Sequence, residues 1–133
     1  MINENILKIA SNTSNYGLKD FFTHKSILKN SKCGDKIKIE VVVKKNEISS
    51  MRYETESCIF CQASASILAK RIKLFSKENV KENVDFLKNS IKNEENYLPA
   101  KLNIFKEIFH YNNLNRIDCI MLPFKALIKA LKV

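Results

Sequence analysis

The strongest constraint on the fold is an alternation of apolar and polar residues over two adjacent stretches, KIKIEVVVKK and NEISSMRYETES. Such a period of two is typical of β-strands that bury one face. The first stretch places Ile37, Ile39, Val41 and Val43 on one face and Lys36, Lys38 and Glu40 on the other. Lys45 and Asn46 form the natural turn, because asparagine tolerates a positive φ. The pattern predicts an antiparallel hairpin over residues 35–56.

After the hairpin, the apolar period lengthens to that of amphipathic helices. The successive apolar stripes are Ala65, Leu68, Ile72 and Phe75; Val80, Val84, Leu87 and Ile91; Leu102, Phe105, Ile108 and Phe109; and Ile120, Phe124, Leu127, Ile128 and Leu131. A short helix is also predicted over residues 3–11, whereas residues 18–32 fit neither period. The order of helix, hairpin and helices predicts an α+β domain over residues 1–133, with helices packed on a small antiparallel sheet.

Composition narrows the class of protein. The chain has 133 residues, 45% of them hydrophobic, which suits one folded domain. Its N-terminus lacks the pattern of a signal peptide, and no apolar run is long enough to cross a bilayer, so we expect a cytoplasmic protein without membrane contact. In a reducing compartment, the 4 cysteines are expected to be ligands or reactive thiols rather than disulfides.

The net charge of +9 indicates an acidic partner such as nucleic acid, a membrane surface or an acidic protein face. The sequence has no tight cluster of Lys and Arg interleaved with aromatic residues and no recognisable nucleic-acid-binding module. Nucleic-acid binding is therefore the least favoured of the functions considered.

The hairpin predicts where two thiols meet. If residue 44 pairs with residue 47 and the register continues unbroken, Cys33 lies opposite Cys58, with Cβ atoms about 4.5–5.5 Å apart. The side chain of Asp35 then points to the same side as that of Cys33. The register predicts three potential ligands at the open end of the hairpin.

The position of Cys119 relative to the C-terminal helix can be predicted from Pro123, four residues after it. A helix tolerates proline near its first turn, so Pro123 predicts that the C-terminal helix starts close to Cys119. A helix N-terminus lowers the pKa of a thiol, which makes Cys119 a candidate metal ligand and a candidate sulfur acceptor. Three thiolates and one carboxylate suit tetrahedral zinc, and mainly thiolate ligation also suits an iron–sulfur cluster.

Three other residues are expected to stay outside the ligand set. Cys61 lies one helical turn from Cys58, and no second C-x-x-C completes a zinc knuckle, so we interpret it as a buried core residue. His24 and His110 have no ligand partner at helical spacing and are expected to be surface or capping residues.

Three local signatures occur in order: NSKCGD, SCIFCQASASIL and NRIDCIMLPFKAL. Together, and with SNYG near the N-terminus, they resemble the iron–sulfur cluster assembly scaffold family that includes IscU, SufU and the NifU N-terminal domain. The resemblance implies a SufE/NifU-like α+β fold. It also implies that Cys33, Asp35, Cys58 and Cys119 bind a transient [2Fe–2S] cluster or zinc, with Cys33 and Cys119 as candidate sulfur acceptors. The implied partners are a cysteine desulfurase, which supplies persulfide sulfur, and apo iron–sulfur proteins or carriers.

The chain also departs from the family pattern. Ser31 and Ser57 replace a proline and a glycine, Asp118 stands where IscU-type members have histidine, and NLNRI replaces their chaperone motif. The resemblance therefore does not predict binding of an Hsp70-type chaperone. The Arg-Ile-x-Cys pattern and the long helical insert are more similar to the SufU branch, in which the site often holds zinc.

The leading hypothesis is a scaffold that accepts persulfide sulfur and assembles or relays it at a site of three cysteines and one aspartate. The alternatives are a zinc-bound SufU-like sulfurtransferase partner without a stable cluster and, more distantly, a structural zinc interaction module. Only the SufU-like alternative implies an enzymatic activity.

Overall fold

The computed structural model describes residues 3–95 and 97–133. Its first element is helix α1, Glu4–Ser11, which confirms the predicted N-terminal helix. Asn3 caps this helix, since its Oδ1 accepts a hydrogen bond from the Ile6 amide at 3.0 Å. Ile6 is fully buried, so α1 contributes to the core through one face.

The sheet has three antiparallel strands in the order β1-β2-β3. They are β1, His24–Lys29; β2, Lys36–Lys44; and β3, Glu47–Glu56. The predicted hairpin and its turn are confirmed, and both Lys45 and Asn46 have positive φ. β1 falls in the unassigned residues 18–32. Its inward side chains include Ser26, whose hydroxyl donates to the Ala126 carbonyl at 2.7 Å, whereas the apolar Ile27 points outward and is exposed.

A β-bulge changes the predicted register of the hairpin. Lys44 pairs with Glu47 as predicted, but the register shifts by one residue between Val42 and Val43. Lys36 consequently lies opposite Glu56. The prediction that Cys33 pairs directly with Cys58 is therefore wrong. The shifted register excludes that pairing, and Cys33 lies in the turn before β2 rather than in the strand.

The helices after the sheet are α2, Ile59–Lys70; α3, Val80–Ser90; and α4, Ile117–Leu131. α2 packs against α1 and α4, and α4 also packs on β1 and β2. Small residues allow these close contacts. Ser64 in α2 donates a hydrogen bond to the Ile120 carbonyl at 2.6 Å, and Ser66 donates to the Asn12 carbonyl at 2.7 Å.

Two predicted helical stripes are only partly α-helical. In the stripe that starts at Ala65, the α-helix ends at Lys70, and a 3-10 turn, Ile72–Leu74, follows it. The stripe from Leu102 begins in the 3-10 helix Ala100–Phe105 and ends in the turn that follows it, where Ile108 and Phe109 lie. Both stripes still face the core. Four aromatic side chains meet edge to face there, with ring centroids 5.4–6.5 Å apart. We call them the aromatic cluster: Phe75, Phe105, Phe109 and Phe124.

The chain crosses the other face of the sheet between α1 and β1, held by charged side chains. Glu40, on the charged face of β2, is only 5% exposed, and its Oε1 accepts hydrogen bonds from the amides of Lys19 and Asp20 in the segment that covers it. Arg52 donates to the carbonyls of Tyr16 and Gly17 at 2.7 and 2.9 Å. In the described part of the chain, no helix combines the length and apolar character needed to span a membrane.

Candidate metal and sulfur site

The turn between β1 and β2 positions the first cysteine and the aspartate. The Asn30 amide donates to the Asp35 carbonyl at 2.7 Å, and the Gly34 amide donates to the Asn30 carbonyl at 2.8 Å. Gly34 adopts a φ of +78°, a conformation that favours glycine. The closed turn leaves Cys33 exposed and directs Asp35 inward, so that only 6% of its surface is exposed.

Cys119 approaches the turn from the first turn of α4. The helix begins at Ile117, two residues before Cys119, and Pro123 lies inside it rather than at its first turn. The predicted helix start is therefore close to the observed one, although the proline lies further into the helix than predicted. Because proline has no N–H, it cannot donate to the carbonyl of Cys119 four residues before it.

The turn and the helix bring three potential ligands together. The sulfur atoms of Cys33 and Cys119 are 3.8 Å apart. With a carboxylate oxygen of Asp35, they form a group whose ligand atoms all lie within 4.8 Å of one another. Two thiolates bound at about 2.3 Å to one tetrahedral ion would lie about 3.8 Å apart. The sulfur spacing therefore fits zinc or iron without rearrangement of these two side chains.

Asp35 provides a further test of whether the residues fit a metal. Its Oδ1 accepts a hydrogen bond from the Cys58 amide at 3.2 Å, whereas its Oδ2 is buried and has no hydrogen-bond partner among the described residues. Leaving a buried carboxylate oxygen unpaired is costly. A cation held by Cys33, Asp35 and Cys119 would satisfy it, so the donor set fits a metal.

Cys58 borders this group from the N-terminus of α2. It is the N-cap residue of the helix, is half-buried and makes no side-chain capping hydrogen bond. It lies outside the three-residue group, although its thiol is one of the neighbours that raise the pKa of the Cys119 thiol. We call Cys33, Asp35, Cys58 and Cys119 the thiol site; the ligand role of its members remains a prediction.

The pKa of the Cys119 thiol is raised well above its ordinary value, opposite to the predicted direction. Burial is the largest cause, and the neighbouring Cys58, Cys33 and Asp35 side chains add to it. These effects outweigh the helix N-terminus, which favours the thiolate. A bound cation would reverse the balance, because a coordinating thiol loses its proton.

Cys61 lies in the first turn of α2 and is fully buried, as predicted for a core residue. Its Sγ is 4.0 Å from the Thr55 hydroxyl. Burial raises the pKa of the Cys61 thiol to about 12, although the hydroxyls of Ser57 and Thr55 oppose the shift. His110 caps the 3-10 helix Tyr111–Arg116 through Nδ1, which confirms the predicted capping role.

An ion pair at the site was not predicted from the sequence. Lys32 Nζ lies 3.5 Å from the carboxylate of Asp118, and each of these residues directly precedes a cysteine of the thiol site. Arg116, three residues before Cys119, places its guanidinium 5.7 Å from the centre of the Phe60 ring in α2. The opposite charges beside Cys33 and Cys119 were the available signal, but only the fold brings them together.

The chain is an α+β domain in which helices pack on a three-stranded antiparallel sheet. Its thiol site is formed by one turn and the N-termini of two helices. The model of the NifU-like N terminal domain matches residues 1–132. The chain belongs to this family, which groups iron–sulfur cluster assembly scaffold proteins of the IscU, SufU and NifU type.

Two curated relatives are similar over most of the chain. The iron–sulfur cluster assembly scaffold protein IscU of Thermotoga maritima is 31% identical over 137 residues, which cover 99% of this chain and 93% of the relative. An uncharacterised protein of Borreliella burgdorferi is 30% identical over 117 residues, which cover 88% of this chain and 80% of the relative.

Solved structures share the fold at lower identity. The SufU protein of Fervidobacterium islandicum has a TM-score of 0.78 and 22% identity, with 98% of this chain and 96% of that one covered. The N-terminal part of a NifU-like protein from Brucella abortus has a TM-score of 0.79 and 19% identity, with 98% and 91% covered. The predicted α+β class and SufE/NifU-like fold are confirmed.

Proposed function

We propose that the protein is an iron–sulfur cluster assembly scaffold that accepts persulfide sulfur from a cysteine desulfurase and combines it with iron at the thiol site. The observation that carries the proposal is the group formed by Cys33, Asp35 and Cys119, with its unpaired buried carboxylate oxygen. Membership of the family and the similarity to an IscU relative support the same function.

Exposure suggests the order in which the thiols act. Cys33 is exposed at the tip of a turn, so a persulfide carried by a partner protein can reach it. The Cys33 thiolate attacks the outer sulfur of that persulfide; a new S–S bond forms on Cys33, and the partner's thiolate leaves. Cys119 is 3.8 Å away and buried, which makes it the second candidate acceptor.

The thiol site combines soft and hard ligands. Thiolates hold iron or zinc firmly, whereas a carboxylate is a harder ligand that exchanges more readily. Asp35 would therefore keep one coordination position open to exchange, which suits a site whose product must leave for apo iron–sulfur proteins or carriers. The Cys58 amide fixes the orientation of that carboxylate.

A SufU-like sulfur acceptor that holds zinc is the second candidate. The spacing of 3.8 Å between the Cys33 and Cys119 sulfurs fits tetrahedral zinc as well as iron. In that case, zinc stays bound while one thiol accepts sulfur, and no stable cluster accumulates.

Metal analysis of anaerobically purified protein tests the proposal. Absorbance spectra and elemental analysis should detect a reconstituted cluster in the wild type. The cluster should be lost or labile in Cys33→Ser, Asp35→Ala, Cys58→Ser and Cys119→Ser variants. Cys61→Ser is the matched control for the ligand roles and should bind the metal when iron and sulfide are both added to the protein. Stoichiometric zinc, together with sulfur acceptance but no cluster, would favour the SufU-like candidate.

The same variants test the structural zinc module. The core that contains the aromatic cluster and the buried strand residues also includes Cys119, but most of its buried side chains lie outside the thiol site, so we expect the variants to remain folded without metal. Circular dichroism and thermal unfolding measure this. If the Cys33→Ser and Cys119→Ser variants unfold, the metal has a structural role and the scaffold proposal loses its main support.

A further inference from the structure

Cys61 is the cysteine that the proposed function leaves unused, and it lies three residues after Cys58 of the thiol site. Cys58 is the N-cap of α2, and its carbonyl accepts the Gln62 amide at 3.0 Å, so residues 58–62 close one helical turn. Residues three apart on a helix have Cβ atoms about 5–6 Å apart. This spacing is within reach of a disulfide after small side-chain and backbone adjustments, and it recurs in Cys-X-X-Cys motifs at helix N-termini.

The two thiols differ in environment. Cys58 borders the thiol site and is half-buried, whereas Cys61 is 0% exposed. The Cys61 sulfur is 4.0 Å from the Thr55 hydroxyl, which itself lies 2.8 Å from the Ser57 hydroxyl. The Cys61 thiol thus lies against a polar strand end rather than only among apolar side chains. A partly accessible thiol beside a protected one is the arrangement of an attacked and a resolving cysteine.

Conversion of persulfide sulfur to sulfide at the thiol site is a reduction and requires an electron donor. The outer sulfur of a persulfide has the oxidation state of elemental sulfur, and it must gain two electrons to become sulfide. Two thiols that form a disulfide release two electrons. Cys61 lies outside the group formed by Cys33, Asp35 and Cys119, so it is free to supply one of these thiols.

We propose that Cys61 is the resolving thiol that converts sulfur carried by Cys58 into sulfide. This inference rests on the proposed function, since with a desulfurase as the sulfur donor it requires that a Cys33 persulfide form first. The Cys58 thiolate then attacks the outer sulfur of that persulfide, the bond to the Cys33 sulfur breaks, and the Cys33 thiolate leaves. The Cys61 sulfur attacks the inner sulfur of the Cys58 persulfide. A Cys58–Cys61 disulfide forms, the bond to the outer sulfur breaks, and that sulfur leaves as hydrogen sulfide with the Cys61 proton.

The step balances without a metal. The persulfide of Cys58 and the thiol of Cys61 give one disulfide and one molecule of hydrogen sulfide, so the outer sulfur is reduced while the two cysteine sulfurs are oxidised. A dithiol reductant, either a small molecule or a protein, must then reduce the disulfide before the next cycle. While the disulfide persists, Cys58 cannot bind metal, so sulfide release and metal ligation by Cys58 occur in sequence.

Peptide mapping can test this inference directly, because cleavage after Lys and Arg separates the relevant thiols. Cys58 and Cys61 share residues 53–70, Cys33 lies in 33–36, and Cys119 lies in 117–125. Metal-free protein is treated anaerobically with sodium tetrasulfide and desalted. The products are then alkylated without reduction, mapped by mass spectrometry, and assayed for sulfane sulfur by cyanolysis and for released sulfide.

In the wild type, we expect peptide 53–70 to carry an internal disulfide, to resist alkylation and to retain no sulfane sulfur. The Cys61→Ser variant should keep sulfane sulfur on Cys58 and lose the sulfide released from that position. Cys61→Ala is a second variant should serine disturb the core. Cys33→Ser is the matched control and should still form the disulfide in 53–70.

Several results would overturn the inference. They are a wild-type persulfide on Cys58 beside a free Cys61 thiol, a disulfide between 33–36 and 117–125 instead, or no sulfane sulfur on Cys58 in the Cys61→Ser variant. A parallel arm uses a cysteine desulfurase with L-cysteine. Failure of that arm alone would contradict the proposed function, whereas the tetrasulfide arm would still decide the role of Cys61.

Discussion

Helix α4 joins two regions that are held together by different forces. At its first turn, Cys119 meets the thiol site, where polar atoms crowd together, a carboxylate oxygen has no partner among the described residues, and the pKa of a buried thiol is raised. Five residues later, Phe124 enters the aromatic cluster, where its ring contacts those of Phe75, Phe105 and Phe109. The aromatic cluster buries four rings against one another, whereas the thiol site gathers polar atoms around Cys119, which lies at the edge of the same core. The two regions should therefore be separable by mutation.

The largest expected effect is on folding. Phe124→Ala removes a fully buried ring that contacts three other rings of the cluster, and truncation of a buried phenylalanine costs about 3–5 kcal/mol. Denaturant unfolding of the metal-free protein measures the loss. Phe86→Ala is the matched control, because Phe86 is 46% exposed and should change the free energy of unfolding far less. Equal losses for the two variants would show that the cluster is not the stabilising region.

The second effect should fall on the metal and spare the fold. Asp35→Asn keeps an oxygen that can accept the Cys58 amide but removes the charge of a candidate ligand. We expect zinc affinity to fall at least about tenfold, that is by about 1.4 kcal/mol. The free energy of unfolding without metal should change by less than about 1 kcal/mol, the worth of one hydrogen bond.

Competition with a chromophoric zinc chelator measures the affinity, and Asp118→Asn serves as control, since this acid lies beside the site but outside the group of potential ligands. Unchanged zinc affinity in Asp35→Asn would exclude Asp35 as a ligand. A large loss of stability would instead mean that the carboxylate holds the turn to α2.

The sequence predicted the elements whose burial leaves a periodic pattern. β2 and β3 alternate because one face is covered, and their turn is marked by Asn46. β1 was missed because its pattern is inverted: polar Ser26 is buried by a hydrogen bond to α4, whereas Ile27 is exposed. The contact that buries Ser26 joins two elements distant in sequence, so the local pattern of residues does not reveal it.

The candidate site was predicted mainly by resemblance, since hairpin geometry alone gave a wrong pairing. The bulge that shifts the register of Cys33 relative to Cys58 follows from no residue that requires it. The approach of Cys119 to Cys33 joins positions 86 residues apart, and only packing of α4 on the sheet creates it. Likewise, the unpaired oxygen of Asp35 is a property of the folded surroundings.

A smaller effect is expected from the turn that carries Cys33. Gly34 has a φ of +78°, and a Cβ built there meets no atom within 4 Å, so Gly34→Ala adds backbone strain but no clash. The expected loss of stability is roughly 1–2 kcal/mol. Ser31→Ala, in the same turn, is the control for a simple change of side chain. If Gly34→Ala is as stable as the wild type, the turn has relaxed, and zinc affinity should fall instead, because Cys33 and Asp35 flank the glycine.

The smallest effect is expected at the ion pair between Lys32 and Asp118. The two side chains are 80% and 49% exposed, and exposed ion pairs contribute about 0.2–1 kcal/mol because water screens them. Lys32→Ala should therefore leave the free energy of unfolding within about 0.5 kcal/mol of the wild type, and zinc affinity should change much less than in Asp35→Asn. Measurements at low and high salt provide the control, since screening removes the contribution of the pair. If Lys32→Ala weakens zinc binding as strongly as Asp35→Asn does, the pair positions Cys33 against Cys119, and the surface of the thiol site is then as important for its geometry as the buried carboxylate.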